Sequence, residues 1–128
     1  MVQAQAEGLQ SRVEGGQNYM AAVDGTDASE LAFTIAMKGL FRPGKDVFNV
    51  CTITDGTKDY LPFQYRPEYI EEKYQAKIYA NAQSGDARFI KKEKDQGKTT
   101  KETLFALAQQ YRASVIITGM HGRKGPKR

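Results

Sequence analysis

Residues 113–128 read ASVIITGMHGRKGPKR, and the fold turns on them. The β-branched run Val115-Ile116-Ile117-Thr118 stops at Gly119-Met120-His121-Gly122-Arg123, so a buried strand hands over to a glycine-rich turn at its carboxyl end. In open α/β sheets the loops at that end form the ligand crevice, and glycine lets backbone N–H groups approach a phosphate closely. Only six residues follow Gly122, too few for a helix and a further strand to complete the unit and cover the open strand edge.

Working outward, the other elements alternate. Residues 18–23 form a short strand, followed by the turn Asp24-Gly25-Thr26. Asp27 is then a candidate helix N-cap, with Glu30 three positions on for a capping box. That helix runs to about Gly39 with Leu31, Ala32, Ile35 and Ala36 as its apolar stripe, and Pro43-Gly44 stops it. A second strand spans 46–54, and 55–67 is a long ordered loop with two prolines and no clear period. A helix follows over 68–83, marked by Ile70, Tyr74 and Ile78 and ended by Ser84-Gly85. Residues 88–94 form a lysine-rich strand of the kind found at a sheet edge. Thr99 and Glu102 make a capping box for a helix with Leu104, Leu107, Ala108 and Tyr111 inward, ahead of the final strand.

Strand, helix, strand, helix, strand, helix, strand calls for parallel strands and right-handed crossovers: a doubly wound α/β sheet with helices on both faces. Val23, Val50, Ile53, Ile116 and Ile117 belong in or beside its core. Residues 1–17 read as an arm outside the fold, 18–122 as the α/β domain and 123–128 as a basic tail. With no apolar stretch near the roughly 20 residues that span a bilayer and no apolar leader, the expected location is the cytoplasm, with no membrane partner. Cys51 is the only cysteine, so no disulfide forms within the chain, and a small core residue is its simplest role.

One histidine and one cysteine cannot supply a structural zinc site, and a serine nucleophile would have only His121 as its histidine base. No catalytic residue and no metal are therefore assigned, and His121 shapes or caps the glycine turn. Two readings of Asp24 stay open. It hydrogen-bonds a nucleotide, or it closes an Asx-turn before the helix. Gly119 and Gly122 likewise either cradle phosphate or allow a tight turn.

The pairing of AAVDGTDASELAF with ASVIITGMHGR resembles the universal stress protein domain over residues 19–125. The resemblance implies a parallel sheet in order 3-2-1-4-5, here 3-2-1-4 with the fifth strand absent, and an adenine-nucleotide site for ATP or AMP. Carried over by position, it implies contacts from Ala22, Asp24, Gly25, Thr26 and Thr52, and from Thr118, Gly119, Met120, His121 and Gly122 in the last turn. The family's second glycine pair would fall beyond Arg128, so the phosphate cradle is half present. A non-catalytic nucleotide-binding, stress-response domain acting through protein contacts is the leading expectation. The alternative is a structural subunit of a larger complex, in a cytoskeletal setting, with a vestigial site. Either way a twin chain or a foreign partner is expected to cover the fourth-strand edge. The lysines at 91, 92, 94, 98 and 101 and the basic tail permit phosphate contacts, but no nucleic-acid-reading motif accompanies them, and nucleic acid is not the expected partner.

Overall fold

The computed structural model of the chain describes residues 15–56, 62–81 and 86–119. Its strands are β1 (Asn18–Ala22), β2 (Val47–Thr54), β3 (Ala87–Glu93) and β4 (Val115–Thr118). They form one sheet in the order β3-β2-β1-β4, with every neighbouring pair parallel. The helices are α1 (Asp27–Ile35), continued by a π turn over Ala36–Leu40, then α2 (Pro67–Asn81) and α3 (Thr100–Gln110). Part of the irregular loop is also ordered, as a 3₁₀ turn at Phe63–Tyr65.

Side-chain alternation sorts the core into two layers. Tyr19, Ala21 and Val23 join Phe48 and Val50 on the face covered by Phe33, Ala36 and Met37 of the first helix and by Ile70 and Tyr74 of α2. Met20 and Cys51 face the other way, onto Leu104, Leu107 and Ala108 of α3. Two crossovers in one direction and a third that reverses it therefore place α1 and α2 together and α3 opposite, as right-handed connections require. Burial pushes the Cys51 thiol up to about 12, so it is a core residue with no thiolate chemistry at neutral pH.

Three local expectations are corrected. The cap of α1 is Thr26, whose Oγ1 accepts from Ser29 N at 3.2 Å, while Asp27 lies inside the helix. Glu30 makes no capping box. It reaches α2, where the Lys73 ammonium binds it at 2.8 Å and, with Lys77, holds its carboxyl below the usual range. The expected stripe points inward only in part. Ser29, Phe33, Ala36 and Met37 are buried, whereas Leu31 and Ile35 are 62% and 56% exposed. Ile116 is 39% exposed on the α3 side of the sheet, while Ile117 packs against the opposite core layer. By contrast the Thr99–Glu102 capping box is complete, and β3 is indeed an edge strand.

At the amino ends of the strands the buried Asp46 fastens three segments. It accepts from Gln17 N at 2.8 Å, from Arg42 N at 2.9 Å and from the Arg42 guanidinium at 2.9 Å. Burial works to raise its pKa, but the guanidinium and the two backbone donors outweigh it and hold the carboxyl below its usual range. A depressed folded-state pKa stabilises above the unfolded value of about 4, and this contribution disappears as pH falls through the folded value. Asp46→Asn should therefore lower stability at neutral pH by on the order of 2 kcal/mol, the scale of charge-assisted hydrogen bonds. Its deficit against wild type should shrink as pH drops below about 4. Urea midpoints measured across that range check the trend, and a deficit independent of pH would count against the charged pairing.

Candidate functional site

The carboxyl edge of the sheet is where the order of connection reverses. β1 sends the chain to β2 on one side, while β4 returns to its other side, with Ala22 paired to both Cys51 and Thr118. The loop leaving β1 therefore meets the end of β4 at Gly119, the last described residue of the expected glycine turn. Asp24, at the start of the first loop, accepts at Oδ1 from Thr26 N at 3.0 Å and from Thr26 Oγ1 at 2.6 Å. Its own N–H donates to Ser29 Oγ at 3.2 Å, and Ser29 Oγ donates on to Thr26 O at 3.1 Å. This closed ring is an Asx-turn fused to a helix cap, and it fixes the carboxylate in place. The two Thr26 bonds orient the Asp24 carboxylate.

Both described glycines of the site are sterically required. Gly25 has φ +88°, and a Cβ there would run into the Gln64 carbonyl oxygen and lie 2.9 Å from Tyr65 Cδ1. The 3₁₀ turn before α2 thus closes directly on the β1 loop. A Cβ on Gly119 would sit 2.5 Å from Ser29 N and 2.7 Å from Ala28 C, so β4 ends against the backbone of the first turn of α1. Thr52 is buried and Thr118 exposed, and Ala22 packs beside the α3 core layer. Met120, His121 and Gly122 lie outside the described residues.

Two cavities open on this edge. One of about 400 Å³ lies at the start of α1 and is lined by Gly25, Thr26, Tyr65, Tyr69 and Lys73 among others. The other, about 670 Å³, lies at the ends of β2 and β3 by Thr54, Asp55, Arg66 and Lys91, and contains none of the expected site residues. Sequence reasoning missed Gln64, Tyr65, Tyr69 and Lys73. Gln64 and Tyr65 lie in a loop without a period and Tyr69 and Lys73 on the helix after it, and neither pattern says what these residues pack on. The Tyr74 ring meets Phe33 edge-on at 5.0 Å, and its hydroxyl is fully buried, with no hydrogen bond within 3.5 Å found among the described residues. Burial pushes that phenol well above its ordinary value. Among the described residues no group of His, Cys, Asp and Glu comes together that could hold a metal ion.

Two lysines of the basic cluster form ion pairs within the chain, and a third bonds a backbone carbonyl. Lys91 pairs with Glu71 at 3.2 Å, Lys92 pairs with Asp95 at 3.0 Å, and Lys94 Nζ donates to Lys98 O at 2.8 Å. No described helix is long and apolar enough to cross a membrane.

Comparison with known proteins adds identity to this geometry. No curated protein matches the chain. Two solved structures share the fold. Protein Rv1636 from Mycobacterium tuberculosis H37Rv has 15% identity and a TM-score of 0.55, over 84% of this chain and 73% of that one. A protein of the universal stress protein family from Burkholderia pseudomallei has 19% identity and a TM-score of 0.58, over 85% of each chain. The sequence model described as Universal stress protein family matches residues 17–128, and the chain, with its sheet order, belongs to that family.

Proposed function

We propose that the domain binds an adenine nucleotide, ATP or AMP, at the carboxyl edge between the β1 and β4 loops, and that it acts by binding rather than by catalysis. The observation that carries this is the β1–β4 adjacency, which brings the Asp24–Thr26 turn and Gly119 to one point of the sheet. Asp24 supplies a fixed acceptor for sugar hydroxyls, Thr52 lies in the neighbouring strand, and the glycine turn after Thr118 offers backbone donors to phosphate. The Asx-turn does not compete with this role, because it orients the same carboxylate that a ligand would use. A second reading, in which protein association is the main activity, is favoured by β4 being an edge strand with Ile116 exposed beside it.

Titration calorimetry and thermal melts with millimolar ATP, ADP and AMP test the first reading. Nucleotide at a hundredfold excess over Kd should stabilise the chain by about 2.7 kcal/mol through linkage. Asp24→Asn keeps an acceptor oxygen for Thr26 while removing the charge, so it should stay folded and lose most of the nucleotide effect. Asp24→Ala should also lose about 1 kcal/mol of stability without ligand, because the cap loses its acceptor. No heat and no shift with any of the three nucleotides would remove the nucleotide reading and leave the site as a structural turn.

A further inference from the structure

β3 ends one side of the sheet, and half of its backbone groups point away from it. Phe48 N donates to Asp86 O at 2.8 Å just before the strand, and Lys94 N donates to Thr54 O at 2.7 Å just after it. In a parallel ladder alternate residues turn both backbone groups to the same neighbour, so positions 86, 88, 90, 92 and 94 face β2. Ala87, Phe89, Lys91 and Glu93 therefore turn N–H and C=O outward, where no group of the chain bonds to them. An edge of this kind is a template for another strand unless its side chains forbid one.

The two faces along this edge differ. Ala87 and Phe89 lie against the larger core layer, and Lys91 follows them with its charge met by Glu71 at 3.2 Å. Ile90 lies on the α3 side, and alternation puts Lys92 and Lys94 there too. The acids on that side are already engaged. Asp95 binds Lys92 at 3.0 Å, and Glu102 Oε1 accepts from Thr99 N at 2.9 Å in the cap of α3. Lys94 Nζ donates to a neutral group, Lys98 O, which leaves its charge unbalanced. Lys98 and Lys101 are exposed nearby in sequence, without ion-pair partners among the described residues. A second copy of β3 fits this edge badly, because antiparallel pairing about Lys91 sets Lys91 against its own copy and Lys94 against Arg88. An acidic strand meets opposite charge instead.

We propose that the outer edge of β3 takes up an extended acidic segment of another protein, hydrogen-bonded as an added strand to residues 87–93, with its acidic side chains on the α3 side where Lys94 lies. Backbone pairing supplies the affinity, and the side chains that alternate across the edge supply the selection. The face beside Phe89 is apolar, so the segment alternates acidic with apolar residues. β2 stands between this edge and the β1–β4 crevice, so the proposal is independent of the nucleotide reading.

The probe is a labelled synthetic peptide of about ten residues alternating glutamate with valine, long enough to cover a strand, titrated with the full chain and read by fluorescence anisotropy. It should bind, and the same peptide with lysine for glutamate should not. Salt at about 1 M, where the screening length is about 3 Å, should weaken binding by about tenfold or more. Lys94→Glu should weaken it by about tenfold, while the same charge change at exposed Lys38, on the first helix's π turn, should leave it within about twofold. Position 93 distinguishes strand addition from attraction alone. Its N–H points outward, so Glu93→Pro breaks no bond to β2 and falls where an edge strand tolerates proline. Attraction alone has Glu93→Gln and Glu93→Pro gain affinity equally, whereas strand addition has the proline variant bind less tightly than the glutamine one, because a donor is gone. Amide exchange by NMR reads the unaltered chain. The peptide should slow the amides of Phe89, Lys91 and Glu93, while those of Ile90 and Lys92 are slow without it. Absence of binding at millimolar peptide, equal binding of the lysine peptide, or binding without protection of the three outward amides would each overturn the proposal.

Discussion

Phe48→Ala is expected to remove a large part of the chain's stability. The side chain is fully buried at the centre of the larger core layer. Its ring lies 5.8 Å from Tyr19, 5.8 Å edge-on to Phe33 and 5.5 Å edge-on to Phe41. It therefore joins β1, α1, and the segment after the π turn to β2. Removing such a ring costs about 3–5 kcal/mol, from lost transfer energy and the cavity left behind. Domains of this size hold only about 5–15 kcal/mol in all. At about 4–8 °C per kcal/mol, the melting midpoint should fall by more than about 12 °C. Phe48→Leu keeps most of the volume and should cost less than about 1.5 kcal/mol. Equal melts for the two variants would mean that the rings do not form the junction.

The same cluster explains what could be read from the sequence and what could not. Alternation of strands and helices and the edge placement of β3 were legible, because each rests on a pattern several residues long, while the return of β4 beside β1 followed from the family resemblance. The orientation of α1 was not. Its sequence carries two apolar rows, Leu31 with Ile35 and Phe33 with Met37, and periodicity cannot choose between them. The choice is made by the sheet, where Phe48 and Tyr74 provide an aromatic seat that Phe33 fills. The cap was displaced by one residue for a related reason. Thr26 and Asp27 are both competent caps, and the Asx-turn from Asp24 decides for Thr26. Glu30 followed its long-range partners on α2, which no local pattern reveals.

At the site, the sequence could place Asp24 and Gly119 at neighbouring strand ends but could not show how tightly they are held. Gly119 read as phosphate cradle or turn, and the geometry supplies a further cause for it and for Gly25, close backbone approach to α1 and to Gln64. That cause operates with or without a ligand, so a glycine substitution here cannot by itself count as evidence for nucleotide binding. The test must score folding and binding separately.

Gly119→Ala makes that separation and should have the second-largest effect on stability. The new Cβ would lie 2.5 Å from Ser29 N and 2.7 Å from Ala28 C and Ser29 Cα. All three atoms are backbone of the first turn of α1, held by the Thr26 cap, so no flexible side chain can give way. Either β4 separates from α1 or the cap breaks. Overpacking of this kind costs about 1–3 kcal/mol and occasionally more, and a rigid obstacle on one side puts Gly119→Ala at about 3 kcal/mol. Gly39→Ala is the natural control. Nothing lies within 4 Å of its added Cβ, and its φ is not in the left-handed region, so it should be neutral or stabilising by up to about 1 kcal/mol. Denaturant midpoints of the two variants without nucleotide measure the packing term alone, and nucleotide-induced shifts then measure binding on top of it. If Gly119→Ala melts like Gly39→Ala, the close approach of β4 to α1 is wrong, and with it the convergence of the two loops that supports the nucleotide site.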